Sequence, residues 1–204
     1  MVNVSMALEL PVDRENLSVH FDREKYKALV HLICAKCENP RKLSKTKLHK
    51  ALLYIDLEHY LSTGKPITGE TYIKDEFGPV SVHLDEVIDE LEKEKAIRTF
   101  QIEDYSPAIG HYSQNQFISL RPPDTDHFTD EELDIVNFVV SWVKQMKSGE
   151  ISEFSHTIAY NSAEYGEELP YFTAFAYFMR SPNRKEIEVG LQMLKDRHAD
   201  TTAA

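Results

Sequence analysis

The stretch from Lys45 to Ser62 constrains this chain more than any other. It places Leu48, Ala51, Leu52, Leu53, Ile55, Leu57, Tyr60 and Leu61 within a few helical turns, so apolar side chains point to almost every side. A helix of that kind is stable only when it is surrounded. Ser44 supplies a capping oxygen at its start, and Thr63-Gly64 with Pro66 close behind ends it. A polar segment, 67–77, leads to the tight sequence Gly78-Pro79-Val80. A second helix from about Ser81 carries Leu84, Val87, Ile88 and Leu91 at i, i+3, i+4 and i+7. Buried helix, Gly-Pro corner and amphipathic helix form one unit that the rest of the chain must wrap.

The flanking sequence supplies the wrapping. An earlier helix starts at Asp22, buries Tyr26, Leu29, Val30, Leu32 and Ile33, and ends at Asn39-Pro40. The short link to the buried helix predicts an antiparallel pair. Beyond Lys95 the periodicity changes to alternation around Phe100 and Ile102, and again from Gln114 to Leu120. This predicts a β-hairpin with a longer loop containing Pro107 and Gly110. Thr129 and Glu132 form a capping box for a helix with Leu133, Val136, Val139, Val140 and Val143 on its buried face, ended by Ser148-Gly149. A short helix near Ser152 and a final helix starting at Ser181-Pro182 complete the chain. The fold class is therefore mainly α: a compact helical domain with a small β-hairpin inserted between helices. Residues 1–21 read as an N-terminal arm, 22–198 as the domain and 199–204 as a frayed end.

Composition narrows the function classes. With 34 acidic and 23 basic residues the net charge is −11, the wrong sign for general nucleic-acid binding and the right one for a basic partner. No apolar run approaches the ~20 residues of a membrane span, and the N-terminus, without a basic start and a sustained apolar core, is not expected to be a signal peptide; a cytoplasmic protein is expected. Cys34 and Cys37 form a C-x-x-C at a helix end, but no second ligand pair completes a zinc site, and a redox motif would open a helix rather than close one. Two reduced thiols are expected there. The nine histidines form no known metal or acid–base motif, and with seven glycines phosphate-cradling loops are not expected. No metal, no cofactor and no catalytic residue is assigned.

Three pieces of sequence then fall in a recognisable order: Lys47-Leu48-His49-Lys50-Ala51-Leu52-Leu53-Tyr54, Gly64-Lys65-Pro66-Ile67-Thr68-Gly69, and Phe77-Gly78-Pro79-Val80. Ser155-His156, Glu167 and Pro170-Tyr171 follow later. This ordered set resembles the SocA-like Panacea antitoxin domain, with His49 where the family pattern has Gln. The resemblance implies a type II antitoxin that binds a cognate bacterial or phage protein toxin directly and occludes it. Alarmone-synthetase-like toxins are among the partners it suggests. The SocA branch implies the alternative role of an adaptor that delivers a bound toxin to an ATP-dependent protease such as a Clp complex. A reading from another class, an enzyme using His156 or the cysteine pair, lacks a supporting motif.

The expected partner surface is the corner Glu76, Phe77, Gly78 and Pro79 with His83, plus Tyr54 if its ring reaches the surface. Against this, Gly78-Pro79 can simply set the angle of helix entry, and Tyr54 can fill the core. The carboxylates of Asp85, Glu86, Asp89, Glu90, Glu92 and Glu94 read either as a solvated helix face or as a docking surface for a basic partner. The basic run from Arg41 to Lys50 opens a helix too apolar to lie in a DNA groove. It reads as a solvated first turn, and DNA is not expected as a partner.

Overall fold

The computed structural model describes residues 19–106 and 110–174. The first helix, α1 (Arg23–Lys36), opens where expected, with the Asp22 side chain accepting the Lys25 N–H. The buried helix, α2 (Lys45–Thr63), is capped by Ser44 and closed by Gly64 in the left-handed conformation, φ 76°. Every residue from Lys47 to Leu57 is buried. Helix α1 packs on α2, as do the helices Asp130–Gln145 and Ser148–Ser155.

The segment after α2 departs from the expected polar connection. Ile67, Thr68, Gly69, Glu70 and Tyr72 are buried, and α2 carries the acceptor for the polar groups of Thr68 and Tyr72. The carboxylate of Asp56, itself wholly buried, accepts from the Thr68 N–H at 2.8 Å, the Thr68 hydroxyl at 2.6 Å, the Tyr72 hydroxyl at 2.9 Å and the Tyr171 hydroxyl at 3.2 Å. Burial raises the Asp56 pKa, and these hydrogen bonds from Thr68, Tyr72 and Tyr171 oppose the rise. Held this way, β1 (Tyr72–Ile73) pairs antiparallel with β2 (Val80–Ser81). This second small hairpin has two-residue strands, too short for alternation to reveal. Its pairing also delays the next helix, α3 (Leu84–Lys93), which starts at Leu84 and not near Ser81.

The alternating segments form β3 (Ile97–Ser106) and β4 (Gly110–Ser119), paired from Ile97↔Ser119 to Ser106↔Gly110. The strands are longer and the connection shorter than expected. Helix α4 (Asp130–Gln145) has its full capping box between Thr129 and Glu132. It ends at Gln145, and Ser148-Gly149 do not stop it but open α5 (Ser148–Ser155), where Glu150 accepts the Lys147 N–H at 2.8 Å. The expected single helix around Ser152 is in fact two, because Thr157 caps a separate α6 (Ile158–Ser162). The helix expected from Ser181 lies outside the described residues, as do residues 1–18 of the arm and the expected frayed end. The end of the arm lies against the body: a Cβ on Gly69 would lie 2.2 Å from the His20 carbonyl oxygen, and Asp22, the first residue after the arm, donates its N–H to Thr68 O at 2.8 Å.

Asp56→Ala leaves three buried donors, the Thr68 N–H and the Thr68 and Tyr72 hydroxyls, without their acceptor, while Tyr171 keeps the Glu70 carbonyl. The substitution is expected to destabilise the protein by about 3 kcal/mol or more, with Asp56→Asn intermediate, measured by urea unfolding.

Candidate functional site

Helix α2 also sets the corner. Lys50 is 1% exposed, and its ammonium donates to the Pro79 carbonyl at 2.6 Å. Its neighbour His49 accepts the Ser81 N–H on Nδ1 at 3.0 Å, so the ring proton sits on Nε2. Burial, then the nearby Lys50 and Lys45, lowers the His49 pKa to about 3, and the ring stays neutral. Burial likewise brings Lys50 down to about 7, against a smaller opposing effect of Asp75. Gly78 fits between these groups only because it lacks a side chain. Its φ is 92°, and a Cβ there would lie 2.2 Å from Ser155 Oγ and 2.8 Å from Lys50 Nζ.

The corner is gripped from the other side by the chain from α5 onward. Ser152 Oγ donates to the Phe77 carbonyl at 2.8 Å, and the Tyr160 hydroxyl donates to the Asp75 carbonyl at 2.7 Å. Lys74 N–H donates to Glu167 O, Gly166 N–H to Lys74 O, both at 2.9 Å, and Lys74 Nζ to Ala163 O at 2.8 Å. The Lys74 ammonium also lies 4.8 Å from the centre of the Tyr160 ring. The Tyr165 hydroxyl donates to Asp75 Oδ1 at 2.5 Å. The result is a rigid backbone that holds two aromatic rings in solvent: Phe77 is 59% exposed and Tyr165 is 75% exposed.

The expected partner residues separate in space. Glu76 and Phe77 are exposed at the corner, while Gly78 and Pro79 are buried beneath it. His83 lies past the opposite end of the β1–β2 ladder, where its Nδ1 meets the Glu70 carboxylate at 3.0 Å and its ring stacks on Phe21 at 4.4 Å. Tyr54 is 2% exposed, its ring packed edge-on against Trp142 and Phe154 at 5.0 and 5.5 Å. The surface condition set for Tyr54 is not met, and the ring fills the core.

Other candidate groups are also placed. Lys47 and Lys50 of the basic run are buried, and Lys45 pairs with Asp85 at 2.5 Å, so the run is not the solvated turn expected. Cys34 and Cys37 are free and buried; burial pushes both thiols up, away from a reactive thiolate, although Lys144, Lys47 and Lys42 pull Cys37 partly back. His156 stacks flat on Tyr160 at 4.3 Å, and burial lowers its pKa. Ser155 Oγ donates to the Ser152 carbonyl at 2.6 Å, a helix-end contact. Lys50, Ser152 and Tyr165 were absent from the expected site. For Lys50 a signal existed, since a lysine inside a helix apolar on every side must be buried with it. For Ser152 and Tyr165 there was none.

The mainly helical scaffold thus fixes an exposed aromatic corner. The chain belongs to the SocA-like antitoxin family: the family model for the Panacea domain matches residues 48–159, more than half the chain. The match spans α2 through the corner to α6. Membership supports an antitoxin-like role and implies a protein toxin as partner. No curated protein and no solved structure matches the chain. No helix among the described residues is long and apolar enough to cross a membrane.

Lys50 carries a pH signature. A pKa depressed from 10.5 to about 7 means that the unfolded chain binds more protons between those values, so stability is lost as pH falls from about 10.5 to about 7. The stability of the protein relative to a Lys50→Met variant is therefore expected to rise with pH across that window, by up to about 1.4 kcal/mol per unit, read from urea titrations. A flat difference would mean that the ammonium is not buried in solution.

Proposed function

We propose that the chain neutralises a cognate bacterial or phage toxin in the cytoplasm by binding it directly and covering its active or substrate site, with no chemistry of its own. The observation that carries this reading, beyond family membership, is the corner itself. Phe77 is a large apolar side chain presented to solvent from a backbone tied down on both sides by Ser152, Tyr160 and Lys50. An exposed aromatic ring on a preorganised support loses little entropy on binding and is the type of residue that dominates interface energies. Glu76 and Phe77 make the contact in this reading, joined by Tyr165. Gly78 and Pro79 support them from below, and His83 serves the other end of the hairpin. Tyr54 stays in the core.

The test is co-expression with the product of the neighbouring open reading frame, followed by co-purification. Relief of toxicity with a stable complex supports sequestration, whereas relief accompanied by loss of the toxin would mark delivery to a protease. Phe77→Ala is expected to weaken the complex by about tenfold or more, while changing unfolding stability by less than about 0.5 kcal/mol because the ring contributes little to the core. Unchanged affinity would remove the corner from the interface.

A further inference from the structure

The acidic residues of this chain fall into two groups with different partners. On α3, Glu86 and Glu90 pair with Arg23 at 3.2 and 2.5 Å, and Glu94 pairs with Lys27 at 3.1 Å and Arg121 at 3.5 Å. Asp85 is taken by Lys45, and Glu92 accepts the Thr99 N–H at 2.6 Å. Most of the acidic α3 face is thus answered from within the protein. At the corner the balance is different. Asp75, Glu76, Glu164, Glu167 and Glu168 have no ion-pair partner among the described residues. Lys74, the cation beside them, has its ammonium on the Ala163 carbonyl and the Tyr160 ring. Lys50 is buried on Pro79.

The aromatic rings stand among these carboxylates. Phe77 directly follows Asp75 and Glu76, while Tyr165 directly follows Glu164 and reaches across to Asp75 through its hydroxyl. Resting on the toxin-binding reading above, we infer that the part of the toxin seated on this ridge is a basic segment, with Lys or Arg side chains around an apolar residue. Aromatic faces accept both an apolar side chain and the flat of a guanidinium. Carboxylates that no described cation neutralises supply the charge complementary to such a segment, and they steer its approach. An anionic nucleic-acid strand or an acidic segment would meet repulsion at the same place.

The measurement is the association rate between this chain and the co-expressed neighbouring toxin, at about 20 mM and about 0.5 M salt, where screening lengths differ several-fold. The variant Glu76→Lys/Glu164→Lys/Glu168→Lys changes three exposed side chains that make no described hydrogen bond. A matched variant, Asp89→Lys/Glu103→Lys/Asp134→Lys, makes the same change of net charge at exposed positions elsewhere. The corner variant is expected to associate at least about tenfold more slowly at low salt, with the deficit shrinking to about twofold at high salt. The matched variant is expected to stay within about threefold of the parent. The milder Glu76→Gln/Glu164→Gln/Glu168→Gln should show the same order if the lysine variant folds poorly. Equal slowing by the two lysine variants, or association indifferent to salt and to both, would overturn the basic segment while leaving toxin binding intact. Failure of the parent protein to form any complex would instead remove the binding reading itself.

Discussion

The carboxylate of Asp56 has no access to water, and its two oxygens take donors from three residues in two separate parts of the chain. A buried carboxylate is costly unless its lone pairs are filled, so the segment after α2 must fold back along the helix for Thr68 and Tyr72 to reach it. That return sets the position of β1, and the register Tyr72↔Ser81 then fixes β2. The corner between the two strands has little freedom left. Tyr171 arrives at the same carboxylate from the far end of the described chain and also donates to the Glu70 carbonyl at 2.5 Å. One acidic side chain thus couples the centre of the fold to its C-terminal portion.

Lys50 makes the complementary contact on another side of the same helix, since residues advance by about 100° each. Its ammonium lies within hydrogen-bond reach of the Pro79 carbonyl, and the absent side chain of Gly78 leaves the space for it. A lysine brought down to about 7 by burial costs stability at neutral pH. The cost falls at the corner that presents Phe77, and a hydrophobic residue at position 50 would leave the Pro79 carbonyl without this donor. Stability and the rigidity of the exposed surface therefore pull in opposite directions at this position.

Much of the scaffold was legible in the sequence because it rests on helical periodicity and caps. Asp22, Ser44, Gly64 and the Thr129–Glu132 box all act where the pattern places them. The errors come where a short polar run is governed by distant partners. Residues 67–72 look like a solvent-exposed connection until Asp56 is seen beneath them, and two-residue strands carry no alternation to read. Ser148-Gly149 reads equally well as a helix stop or a helix start, and the Glu150 cap decides for the start. The motif Phe77-Gly78-Pro79-Val80 drew attention to the corner through its resemblance to a family pattern. Tyr165 was not, because nothing local marks a loop tyrosine that will meet Asp75 across the fold.

The contacts that hold the corner fall almost entirely on main-chain atoms. Ser152 donates to the carbonyl of Phe77, Tyr160 to that of Asp75 and Lys50 to that of Pro79, while Lys74 exchanges backbone hydrogen bonds with Glu167 and Gly166. A carbonyl is the same whatever side chain it belongs to. The side chains of Glu76 and Phe77 can therefore change without loosening the support, whereas Gly78 cannot, since both its positive φ and the approach of Ser155 and Lys50 demand glycine. The same separation explains the division of the acidic residues. Most of those on α3 are bound up in ion pairs with α1, with the start of α2 and with Arg121, whereas among the described residues those at the corner have no ion-pair partner. A surface whose chemistry is independent of the fold beneath it can change with the interior left unchanged.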